Sequence, residues 1–116
     1  MDKKIVLLAF RGELMCFAHV LLYALDLKEK GCEVKVIFEG AATKLIPELA
    51  EPGKPFAELY ARVKEAGLFD CVCKACAAKM GTLADAQSQN LTIRSEMMGH
   101  PGLSEYIEQG YTILTF

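Results

Sequence analysis

Lys3-Lys4-Ile5-Val6-Leu7-Leu8-Ala9-Phe10-Arg11-Gly12-Glu13-Leu14-Met15-Cys16-Phe17-Ala18-His19-Val20-Leu21-Leu22-Tyr23-Ala24-Leu25 contains two different hydrophobic periods on either side of a break. Residues 5–10 are a continuous apolar run, the pattern of a strand buried on both faces of a parallel sheet. Arg11-Gly12-Glu13 interrupts it. Residues 14–30 are then mostly helix formers, with apolar side chains at Leu14, Phe17, Ala18, Leu21, Leu22 and Leu25, and Gly31 is placed as the C-terminal stop.

The strand-then-helix unit recurs. Cys32 leads into Val34-Lys35-Val36-Ile37-Phe38, a second strand, which ends at Glu39-Gly40 before a helical segment over 41–50 that Pro47 shortens or kinks. Glu51-Pro52-Gly53-Lys54-Pro55 is a loop, with Pro55 expected in the first turn of a helix over 56–66 that Gly67 closes. A third strand over 68–73 runs into a helix over 74–80, and a further helical stretch covers 83–88. Leu91-Thr92-Ile93-Arg94 is a weak fourth strand, Gly99-His100-Pro101-Gly102 a turn, 103–109 a short helix, and 111–116 the last strand. Alternating strands and helices predict an α/β fold with a five-stranded parallel sheet, helices on both faces and right-handed crossovers. The 116 residues make one domain, 1–116.

Composition narrows the function. The net charge is −2 and basic residues are scattered, so neither nucleic acid nor an anionic membrane is an expected partner. The apolar run over 14–25, broken by His19, is too short for a bilayer core of about 30 Å. No signal peptide is visible after Met1-Asp2-Lys3-Lys4, which makes the cytoplasm the expected location and reduced thiols the expected state of the five cysteines. With 53% apolar residues and a first helix apolar on nearly every side, another copy of the chain is the expected cover.

Three of the cysteines crowd one segment, Phe69-Asp70-Cys71-Val72-Cys73-Lys74-Ala75-Cys76. On the strand–helix reading Cys73 ends the strand and Cys76 lies in the helix's first turn, where unpaired N–H groups, the helix dipole, Lys74 and Lys79 favour a thiolate. Cys73 is the candidate nucleophile and Cys76, three residues on, its partner in thiol exchange; Cys71 shares the side of Cys73 but lies deeper. In parallel sheets ligands bind beyond the carboxyl ends of the strands, at the reversal of strand order. The residues following the strands there are Arg11, Glu39, Cys73 with Cys76, and His100. Arg11, Glu39 and His100 are therefore the substrate-binding candidates. No cofactor is expected: Arg11-Gly12-Glu13 lacks the dinucleotide glycine spacing, and no phosphate-loop sequence occurs. Nor is a metal part of the preferred reading. The alternatives are a metal-binding protein using Cys71, Cys73 and Cys76 with His100, or a dithiol redox protein using Cys73 and Cys76.

The opening strand and apolar helix, the Glu33-Val-Lys-Val-Ile-Phe-Glu-Gly40 strand, Cys73 with Gly81 eight residues later, and the closing Gly110-Tyr-Thr-Ile-Leu-Thr-Phe116 together resemble the DsrE/DsrF-like superfamily of small sulfur-relay proteins. The resemblance implies a three-layer α/β/α sandwich of flavodoxin-like architecture. It further implies a sulfurtransferase-like role in which Cys73 accepts sulfane sulfur as a persulfide. As partners it implies sulfur donor and acceptor proteins and further copies of the chain, as a dimer, trimer or hexamer. Cys71 and Cys76 are additions to that pattern and inherit no role from it.

Overall fold

The computed structural model describes residues 2–116. Its strands are β1 (Lys4–Ala9), β2 (Glu33–Phe38), β3 (Phe69–Cys73), β4 (Ile93–Arg94) and β5 (Thr112–Thr115). They form a sheet of order β4-β3-β2-β1-β5, parallel throughout. The helices are α1 (Leu14–Glu29), α2 (Ile46–Ala50), α3 (Ala57–Glu65), α4 (Lys74–Met80), α5 (Leu83–Ser88) and α6 (Ser104–Glu108). The helical segment expected over 41–50 divides into a 3-10 turn, Gly40–Leu45, and α2, because Pro47 has no N–H to carry an earlier helix through and sits instead in the first turn of α2. Pro55 falls outside α3, which begins at Ala57 after Phe56 takes a left-handed φ of 68°. Among the described residues no helix is long and apolar enough to cross a membrane.

Strand order explains where the helices lie. Successive crossovers from β1 to β2, β3 and β4 all step the same way, so right-handedness puts their helices on one face. There Leu7, Val36, Phe38 and Val72 of the sheet meet Phe17, Leu21, Ala24, Ile46, Leu49, Val63 and Ala77. The return from β4 to β5 brings α6 to the opposite face, where Val6, Leu8, Ile37 and Cys71 are covered by Tyr106 and Tyr111. The third layer is thin, and its tyrosine rings are overlaid by cations: Lys35 lies 5.7 and 5.2 Å from the two centroids, Arg94 5.3 Å from Tyr106 and Lys4 5.6 Å from Tyr111.

One irregularity sets the phase of β3. Val36 pairs with Phe69, but Ile37 pairs with Cys71, so Asp70 is an extra residue, a β-bulge. Phe69 accordingly packs on the helix-rich face against Phe38 and Tyr60, whereas Cys71 belongs to the opposite face. Asp70 turns the same way as Cys71 and accepts a hydrogen bond from Tyr106 Oη, which is also 3.7 Å from Cys71 Sγ and accepts from Arg94.

Neighbouring positions on α1 provide a test of the packing. Leu21 is fully buried and Leu22 is 49% exposed. In urea titrations at a dilution where the chain is monomeric, Leu21→Ala should lower unfolding free energy by about 2–5 kcal/mol, and Leu22→Ala by no more than about 0.5 kcal/mol. Equal losses would refute this orientation of the helix.

Candidate functional site

The carboxyl end of β3 passes directly into α4, so Cys73 is both the last strand residue and the N-cap of the helix. A cap must accept an N–H from the first turn; here the sulfur does so, taking the Cys76 N–H at 3.4 Å. The neighbouring strand β2 ends one residue before Glu39, whose N–H donates to the Ala9 carbonyl at 2.8 Å. Its side chain is thereby fixed over the sheet edge, and the residue is only 8% exposed. Gly40 then turns the chain with a φ of 50°, and a Cβ there would sit 3.2 Å from the Phe10 carbonyl.

The fourth group comes from the loop after β4. Met98 and Gly99 both have positive φ, 51° and 97°, and Met97 and His100 exchange backbone hydrogen bonds at 2.8 and 3.0 Å, the pattern of a type I′ turn. The turn docks on α4 through the Gly99 carbonyl, which accepts the Ala75 N–H at 2.9 Å. A Cβ on Gly99 would lie 3.1 Å from Ala75 Cβ, so glycine serves both the φ and the close approach. His100 is thus delivered over β3.

The result is a compact four-residue cluster. Cys73 Sγ is 3.0 Å from His100 Nδ1, Cys76 Sγ is 3.3 Å from Glu39 Oε1 and 3.6 Å from His100 Nδ1, and His100 Nδ1 is 3.3 Å from Glu39 Oε1. All four donor atoms lie within 4.8 Å of one another, a set able to hold a thiophilic cation. Cys73 is 0% exposed and Cys76 half-buried. A cavity of about 390 Å³ opens beside them, lined by Leu8, Phe10, Glu39, Cys76, Met97 and His100 among others. The low Cys73 pKa expected from the helix terminus is not found. Burial and hydrogen bonding to Glu39 and Cys76 push the thiol above its ordinary range, outweighing the Cys76 N–H. Cys71 is pushed up to about 12, chiefly by burial.

Of the residues singled out in the sequence, Glu39, Cys73, Cys76 and His100 converge, while Cys71 points towards Tyr106 and Arg11 lies elsewhere. Sheet order reverses between β5 and β1, and the cleft above that point, about 520 Å³, is lined by Phe10, Arg11, Cys16, His19, Tyr23 and Phe116. The thiols sit over β2 and β3 instead, so the cluster and the reversal point are separate places. The Arg94–Tyr106–Asp70 network, which supports β3 from below, was not singled out in the sequence because its members are far apart in the chain.

The DsrE/DsrF-like family model matches residues 17–116. The chain belongs to the DsrE/DsrF-like family. An uncharacterized protein of Methanocaldococcus jannaschii is 34% identical over 96 residues, 83% of this chain and 76% of the relative. An uncharacterized protein of Archaeoglobus fulgidus is 41% identical over 51 residues, 44% of this chain and 84% of its own length. A conserved protein of unknown function from Bacteroides thetaiotaomicron shares the fold, with a TM-score of 0.73 at 21% identity over 98% of this chain and 95% of that one. The DsrE/DsrF-like family is associated with sulfur relay.

Thiol accessibility tests the cluster's construction. On alkylation of the folded chain, peptide mapping should find Cys16 and Cys76 modified first, with Cys32, Cys71 and Cys73 protected. Gly99→Ala, which forces a side chain into a left-handed conformation, should cost about 1–3 kcal/mol and accelerate Cys73 alkylation more than that of Cys32. Protection of Cys73 unchanged in that variant would show that the turn does not hold the site closed.

Proposed function

We propose that this chain carries sulfane sulfur as a persulfide on Cys73, loaded through Cys76, as one station of a sulfur relay. The observation that carries this reading is the paired placement of the thiols: Cys76 lines a cavity, and Cys73 lies behind it with its sulfur within 4.8 Å. Cys76, giving its proton to Glu39 Oε1 at 3.3 Å, attacks the outer sulfur of a donor persulfide. The donor S–S bond breaks and the donor leaves as a thiol, taking that proton. Cys73, giving its proton to His100 Nδ1 at 3.0 Å, then attacks the same sulfur. The bond to Cys76 breaks and Cys76 departs as a thiolate, regaining a proton. Each step exchanges one S–S bond for another, so no oxidant is consumed. Burial protects the loaded persulfide from water and stray thiols. Thiols used in this way belong in a reducing compartment, and we place the relay in the cytoplasm.

Incubation with a persulfide donor followed by mass spectrometry is the test. The wild type should gain about 32 Da, one sulfur atom, mapped to Cys73. Cys76→Ser should slow that loading, and Cys73→Ser should leave the sulfur on Cys76. An unmodified wild type would remove the assignment, and loading of Cys76→Ser at the wild-type rate would remove the entry role.

We also propose that the relay protein is a homo-oligomer. Phe10, Met15, Leu22 and Tyr23 are exposed on or beside α1, and Leu114 is exposed on the neighbouring edge strand β5. A stable interface over this surface would bury on the order of 2,000 Å² in total. Light scattering at micromolar concentration should report a multiple of the chain mass; a monomer would refute it.

A further inference from the structure

The four clustered side chains are not arranged as a nucleophile–imidazole–carboxylate triad. In a triad the nucleophile and the carboxylate engage opposite ring nitrogens. Here Cys73 Sγ, Glu39 Oε1 and Cys76 Sγ stand 3.0, 3.3 and 3.6 Å from the same nitrogen, His100 Nδ1. One imidazole nitrogen offers either one proton or one lone pair, so hydrogen bonding serves these neighbours one at a time. A cation at the centre serves all four groups together. We propose that Cys73, Cys76, His100 and Glu39 form a binding site for one divalent cation of borderline softness, of which Zn²⁺ is the representative.

Distances support this assignment. Around a tetrahedral zinc ion with bonds of about 2.3 Å to sulfur and 2.0–2.2 Å to nitrogen and oxygen, adjacent ligand atoms stand about 3.3–3.8 Å apart. The Cys73–His100, Cys76–Glu39, His100–Glu39 and Cys76–His100 edges measure 3.0, 3.3, 3.3 and 3.6 Å, and no two of the four atoms are more than 4.8 Å apart. The donor chemistry selects the metal. Two thiolates and an imidazole suit Zn²⁺, whereas Mg²⁺ and Ca²⁺ require oxygen ligands, of which this set has one residue's worth. The supporting parts are also present: Cys73 and Cys76 have the two-residue spacing of a zinc knuckle, and the Cys76 N–H already points at Cys73 Sγ. The cavity against Cys76 and His100 is the entry path, and the His100 side chain is 39% exposed. Cys71 is excluded, its sulfur being directed at Tyr106. On binding, both thiols release their protons to solvent.

This site does not rest on the sulfur-carrying reading. Persulfide loading needs the thiols without metal, and the ion and the sulfur compete for the same two atoms.

The experiment is anaerobic titration of the reduced, metal-free 116-residue chain with Co²⁺, followed by Zn²⁺. The expected result is near-ultraviolet thiolate-to-cobalt charge transfer with the strong visible bands of a tetrahedral ion, saturating at about one equivalent per chain. Zn²⁺ should abolish both features and excess Mg²⁺ should leave them. Circular dichroism verifies that variants are folded; His100→Ala and Glu39→Gln should then each weaken Co²⁺ binding by roughly tenfold or more, and Cys16→Ser should match the wild type. A wild-type chain without the charge-transfer band, or with the weak spectrum of an octahedral ion, overturns the proposal whatever the variants do. So does wild-type affinity in folded His100→Ala. Sulfur loading is measured on metal-free chain by mass, so its failure leaves the cobalt result standing and the reverse holds equally.

Discussion

The extra residue at Asp70 determines which way the rest of β3 faces, and the site depends on that choice. In a regular strand Phe69, Cys71 and Cys73 would share one face of the sheet. The bulge lets Phe69 join the aromatic packing with Phe38 and Tyr60 while Cys71 turns to the other face. Asp70 is partly buried and charged, a position that polar neighbours must support. Tyr106 donates to it, Lys35 and Arg94 lie 3.6 and 3.8 Å away, and Glu96 and Glu105 hold Arg94 in place. The bulge is thus locked by groups from β2, β4, Glu96 and α6, and β2 and β4 also lead into Glu39 and the His100 loop of the cluster.

Above it, the cluster gathers two thiols, an imidazole and one carboxylate in little volume. Burial, helped by hydrogen bonding to Glu39 and Cys76, holds the Cys73 thiol above its ordinary range, so reactivity at this site is controlled by its surroundings more than by the helix terminus. Cys76, turned towards the cavity, meets outside reagents first. A sulfur atom and a cation would engage the same two thiols here, the one by covalent exchange and the other by displacing their protons.

Much of this was legible in the chain itself. The change of period between residues 5–10 and 14–25 is enough to give β1 and α1, since packing on both faces of a parallel strand demands apolar residues throughout. The carboxyl-end rule likewise brought Glu39, Cys73, Cys76 and His100 onto one list. Other features were hidden for physical reasons. A bulge leaves no trace in local propensity, because Asp70 is explained only by Tyr106 and Lys35 across the fold. Strand order was equally invisible, so Arg11 was grouped with the thiols although it borders the cleft between β1 and β5. The direction of the Cys73 shift depended on burial, which spacing does not encode.

The pairing of β5 with β1 has a consequence for how the chain is made. Ile5 lies beside Thr112 and Leu8 beside Thr115, so the second neighbour of β1 is β5, the last of the five strands in chain order. During synthesis β1, β2 and β3 can assemble in the order they emerge, but one edge of β1 stays open until Thr112–Thr115 have left the ribosome. Throughout that interval the nascent chain presents an unpaired apolar strand to its surroundings, the condition in which strand edges aggregate or recruit chaperones.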